Sequence, residues 1–175
     1  RHVGDRVSVP RCALSDWPTL LSRAYTGVPR DPQAASFLPT LDWLARWRIN
    51  ACYYEIYGDQ GQDGMPAEVS TIARECARRG IRLYGQFSNW RTELLLKREL
   101  CPCNPEDLER IRRYAREALD RGCGGLIFLF DDITQATVEH PLHCALCQTR
   151  FGHLAACQLE LLRPMLEEGR RRGVT

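Results

Sequence analysis

Two aspartates, Asp131 and Asp132, follow directly on the run Gly124-Gly125-Leu126-Ile127-Phe128-Leu129-Phe130 and are the clearest chemical signal in the chain. A short apolar segment bounded by glycines and acids predicts a strand buried on both faces, as in a parallel sheet covered by helices. Charges fit such a strand only at its end, and the carboxyl ends of parallel strands are where α/β proteins bind ligands. Two neighbouring carboxylates push their pKa values apart, so one stays ionised while the other keeps a proton near neutral pH. Acid–base cleavage of a glycosidic bond requires that division. Strand side chains alternate faces, so both acids reach one pocket only where the pleat breaks; otherwise one caps the next turn and the other is solvated.

Cysteine is the second signal. There are nine, an odd number, so at least one thiol has no partner within the chain. Cys52 and Cys76 fall inside predicted elements, where cysteine acts as a small buried hydrophobe. Cys101-Pro102-Cys103 and the cluster His140, His143, Cys144 and Cys147 fall in predicted loops. Cys-x-x-Cys spacing lets two sulfurs approach one tetrahedral ion at about 2.3 Å. The two loops follow consecutive strands, and a barrel places such loops on one rim, where they can share a structural zinc. A disulfide and reduced, unligated thiols are the other two states the spacing leaves open. His153 reads as a helix residue rather than a ligand.

The elements that must position these groups follow from periodicity. Phe37, Leu38, Leu41, Leu44 and Ala45 mark one face of a helix from Phe37 to Trp47, and the aromatic-rich stretch Ile49 to Tyr57 reads as a strand. Pro66 takes a first helical position, with Val69, Ile72, Ala73 and Cys76 on the buried face and Gly80 past the end. Ile81 to Phe87 is the next strand. Asn104-Pro105-Glu106-Asp107 has the cap, proline and acids of a helix start, and that helix runs to about Arg121 with Leu108, Ile111, Ala115 and Leu119 inward. After the strand Leu126 to Phe130, a last helix spans roughly Arg150 to Arg172, bent at Pro164. With a weaker strand near Arg23 to Val28, these make four βα units, an α/β chain with a parallel sheet and right-handed crossovers. A closed (β/α)8 barrel takes about 250 residues, so four units amount to half of a TIM barrel; an open sheet needs no more chain.

Composition sets the outer bounds. The 175 residues are 44% hydrophobic and 26% charged with a formal net charge of +2, which is the balance of an ordinary globular domain. No basic stripe interleaved with aromatics is present, which argues against a nucleic-acid partner. The run Arg170-Arg171-Arg172 suits a helix C-terminus and its dipole. No apolar run reaches the roughly 18 residues of a membrane span, the first residues lack the apolar core of a signal peptide, and the missing initiator Met and signal suggest a processed, tagged or excised segment. No compartment follows from these features.

Four stretches together carry a family resemblance: Leu41-Asp42-Trp43-Leu44-Ala45-Arg46-Trp47-Arg48-Ile49-Asn50, Tyr53-Tyr54-Glu55-Ile56-Tyr57, Cys101-Pro102-Cys103-Asn104-Pro105-Glu106 and Phe130-Asp131-Asp132-Ile133. They resemble the catalytic barrel of the β-N-acetylglucosaminidases, glycoside hydrolase family 84 with family 20 features, and Asp16-Trp17-Pro18 resembles the lead-in to it. The resemblance implies a lead-in at residues 1–14 and the first half of a catalytic barrel at 15–175, with relatives often exported. It implies removal of terminal N-acetylglucosamine from a carbohydrate or glycoconjugate by substrate-assisted retaining catalysis, without a cofactor. Asp131 would orient the 2-acetamido group, and Asp132 would be the general acid and then the base. Tyr57, Asp59, Glu55 and Asn89, near strand ends, are candidate sugar contacts. Two departures stand out: Tyr57 occupies the place of a family lysine, and only Gly27 stands in for a glycine-rich first-strand motif. They keep open a non-catalytic carbohydrate-binding or zinc-stabilised interaction module on the same fold. Half a barrel also leaves sheet edges open, so the segment alone is expected to be inactive and to self-associate.

Overall fold

The computed structural model describes residues 2–3, 6–7, 20–55, 63–88, 96, 98, 100–130 and 144–174. The candidates Tyr57, Asp59, Asn89, Asp131, Asp132, His140 and His143 lie outside the described residues. In chain order the elements are β1 (His2–Val3), β2 (Arg6–Val7), β3 (Ala24–Thr26), α1 (Phe37–Arg46), β4 (Ala51–Glu55), α2 (Val69–Ala77), β5 (Arg82–Ser88), α3 (Pro105–Asp120), β6 (Gly125–Leu129), α4 (Ala145–Phe151) and α5 (Leu154–Arg171). The first two strands form a small antiparallel pair, which periodicity did not announce.

The other four make one parallel sheet in the order β3-β4-β5-β6, alternating with helices as expected; the sheet is not closed, and the arrangement is consistent with part of a barrel. Parallel strands in sequential order, joined by right-handed crossovers, carry their helices on the same side of the sheet, and one apolar layer results. Cys52 and Tyr54 of β4 and Leu83 and Phe87 of β5 pack with Ile72, Ala73 and Cys76 of α2, Ile111, Tyr114, Ala115 and Ala118 of α3, and Leu161 and Met165 of α5. The rings of Phe87 and Tyr114 stack at 5.8 Å and 5°. The opposite sheet face carries the register-paired set Tyr53, Tyr84 and Gly125, with Glu55, Gln86 and Ile127 one pleat further on.

Several expectations are corrected. β6 is half-buried along most of its length rather than buried on both faces, because it is an outer strand hydrogen-bonded on one side. The expected single final helix is two: Gly152 takes φ 68°, which ends α4, and His153 begins α5 as a cap whose side chain accepts the Ala156 N–H, so it is not a helix-interior residue. Pro164 lies inside α5. Leu38 is exposed on the outer side of α1, and α2 starts at Val69, with Pro66 in the preceding turn accepting the Val69 N–H. On α3 the buried stripe is Asp107, Ile111, Tyr114, Ala115 and Ala118, with Leu108 and Leu119 at its flanks.

Candidate functional site

In βα units the carboxyl ends of strands and the amino ends of the following helices share one rim. Thr26 and Gly27, Glu55, Ser88 and Phe130 stand at the strand ends of that rim. Gly27 is exposed, directly follows β3 and has φ 83°, a turn in which any other residue would be strained. Glu55, the last residue of β4, accepts a hydrogen bond from Arg30 at 3.2 Å, and the Arg30 guanidinium lies 6.0 Å from the centre of the Tyr54 ring. The connection after β3 is thereby tied to the end of β4, which brings the neighbourhoods of Gly27 and Glu55 together. Gln86 and Ser88 are buried polar residues at the end of β5.

The cysteine loops meet on this rim. Cys101, Cys103, Cys144 and Cys147 bring their sulfurs within 4.8 Å of one another, with Cys101 3.6 Å from Cys144 and 3.5 Å from Cys147, and Cys103 3.4 Å from Cys147. Local structure presents each pair. The Asn104 N–H donates to the Cys101 carbonyl in a tight turn, and the Asn104 side chain caps α3 through the Glu106 N–H. Cys144 caps α4, its sulfur accepting from the Cys147 N–H at 3.3 Å. That backbone donor is the main cause that lowers the Cys144 thiol to about 7. Burial pushes the Cys101 and Cys147 thiols up, and Cys147 far more, because there the adjacent thiols add to it. Cys52, Cys76 and Cys123 are different: buried in the core, they are pushed up to about 11, 12 and 12 chiefly by desolvation, as suits cysteines used as hydrophobes.

Two supports escaped the sequence reading. Asp107 has a fully buried side chain that accepts two hydrogen bonds from Arg98 at 2.7 Å each and a third from the Cys101 N–H at 2.9 Å, so the first turn of α3 holds the cysteine loop directly. The only signal was its place among the acids of a helix start. Asp63, ahead of α2, accepts from Arg110, from Arg113 at 2.6 Å and from the Tyr114 hydroxyl at 2.7 Å, while the Met65 N–H donates to Glu117. Desolvation alone would raise the Asp63 carboxyl; the hydrogen bonds outweigh it and hold it at about 2. The chain after β4 is thus stapled to α3. A groove of about 260 Å³ lined by Tyr84, Gly125, Leu126, Met165 and Leu166 lies instead at the amino ends of β5 and β6, opposite the rim.

No family model matches the sequence, and no curated protein matches it at sequence level. Among solved structures, the fold is similar to that of a mutant of the O-GlcNAc hydrolase of Thermobaculum terrenum, with a TM-score of 0.62 and 17% identity over 88% of this chain and 32% of that one. At that identity the likeness shows the fold alone: parallel strands alternating with helices. The chain spans about a third of that enzyme's length, given the 32% covered.

Proposed function

We propose that this chain is the first half of a glycoside hydrolase barrel, and that the barrel removes terminal N-acetylglucosamine-type sugars by substrate-assisted retaining catalysis. The observation that carries the reading is the fold likeness to an O-GlcNAc hydrolase over 88% of the chain. Sequence supplies the chemistry: Asp131 and Asp132 follow Phe130, just after β6, the strand of the fourth βα unit. In the proposed mechanism, Asp131 orients and polarises the 2-acetamido group, whose oxygen attacks the anomeric carbon as the leaving oxygen takes the proton of Asp132. Asp132 then removes a proton from the water that opens the cyclic intermediate. Glu55, Tyr57, Asp59, Asn89 and Gly27 are proposed contacts to the sugar, since each belongs to or follows a strand end of the rim.

Tyr57, in the place of a family lysine, favours a second reading, a carbohydrate-binding module without turnover. Calorimetric titration of the full-length protein with N-acetylglucosamine and with a chromogenic N-acetylglucosaminide separates the two. The enzyme reading expects binding with release of the chromophore, the module reading binding alone, and the absence of both sinks each.

A further inference from the structure

Four cysteines from two consecutive βα connections converge on one point, and nothing in a glycosidase mechanism uses them. Their sulfur separations of 3.4, 3.5 and 3.6 Å are far beyond the S–S bond of about 2.0 Å in a disulfide. They are close to the edge, about 3.8 Å, of a tetrahedron of sulfurs bound to one ion at about 2.3 Å. All four lie within 4.8 Å of one another, so the cage is sized for a single ion. One cysteine pair is held from outside the cage, by Asp107 on the Cys101 backbone, and the other by a bond within the pair, the Cys147 N–H donating to the Cys144 sulfur.

A second observation points the same way. Helix α4 has seven residues, and its one buried side chain is Cys147; Leu146 beside it is 58% exposed. So short a helix, without an apolar face to bury, is not stable by itself and needs another anchor.

We propose that Cys101, Cys103, Cys144 and Cys147 form a structural zinc site that fastens α4 and the connection after β6 to the loop ahead of α3. An all-thiolate tetrahedral set with no open position suits a structural rather than catalytic zinc, and soft sulfur ligands exclude calcium and magnesium. Binding replaces four S–H bonds by four Zn–S bonds and releases protons to solvent, with no change of oxidation state. The site pins one end of the segment that begins with Asp131 and Asp132, because Cys144 is where that segment meets α4. It stands independently of the proposed glycosidase activity.

The test is metal analysis of untagged protein purified under reducing conditions without added metal. About one equivalent of zinc per chain is expected, lost in the Cys144→Ser/Cys147→Ser double variant and kept in Cys157→Ser, whose buried thiol is a neighbour of Cys147 outside the quartet. If the double variant does not fold, the wild-type protein decides: cobalt in place of zinc should give the intense visible bands of a tetrahedral thiolate site. Stripping the zinc should also speed tryptic cleavage after Arg150, in α4, by roughly tenfold or more. Absence of any stoichiometric metal together with a colourless cobalt form would overturn the site. So would iron in place of zinc, a disulfide among the four cysteines, or loss of zinc in folded Cys157→Ser.

Discussion

Asp107 offers the sharpest test of how α3 holds the rim. In Asp107→Ala the Cys101 N–H loses a charged acceptor at 2.9 Å, which costs about 1.5–3 kcal/mol where the loop is half-buried. Arg98 loses two contacts of 2.7 Å, but it is 43% exposed and water takes up most of that loss, leaving roughly 0.5–1 kcal/mol. The sum is about 3 kcal/mol, and for a urea m-value of about 2–3 kcal/mol/M the unfolding midpoint should fall by about 1–1.5 M. Asp107→Asn is the informative companion. Its amide oxygen can keep the Oδ2 position, which serves both the Cys101 N–H and one Arg98 nitrogen, while its NH2 group faces the other; about half the loss is expected. Equilibrium unfolding followed by circular dichroism reads both. A loss below about 0.5 kcal/mol in the alanine variant would refute the claim that this carboxylate anchors the cysteine loop.

Asp63 predicts an acid limb. Its carboxyl sits at about 2 against an ordinary 3.8, so the folded state resists protonation, and the stabilisation is complete above about pH 4 and lost as pH falls toward 2. With its side chain 39% exposed, screening reduces the effect to about 1 kcal/mol, and Asp63→Asn should flatten stability across that window when melting is followed against pH. Gly125→Ala would put a methyl carbon 2.4 Å from the Tyr84 ring, so a melting experiment should register a loss of about 1–3 kcal/mol. Unchanged melting would show that Tyr84 swings aside freely.

The alternating βα order was legible because apolar periodicity is a local property, and Val69, Ile72, Ala73 and Cys76 or Ile111 and Ala115 need no partner to be recognised. The cysteine quartet was legible for a topological reason: parallel strands deliver successive connections to one rim, so two spaced pairs can be expected to meet. What escaped depends on contacts distant in sequence or on backbone atoms. Asp107 looked like a helix-start acid because its partners are an arginine nine residues earlier and a main-chain N–H. The division between α4 and α5 was hidden because a single glycine inside a helical pattern is tolerated; only Gly152 at positive φ, followed by a capping His153, marks the break. The half-exposure of β6 is set by its position at the sheet edge, which its apolar residues do not encode.

The most direct measurement is the kcat of the full-length protein on a chromogenic N-acetyl-β-glucosaminide, beside its Asp132→Asn variant. Turnover by the wild-type protein and a fall of about 10²–10⁴ in the variant, with sugar binding retained, is the result a general acid at Asp132 predicts. Equal rates in the two proteins, or no turnover with binding intact in both, would contradict it.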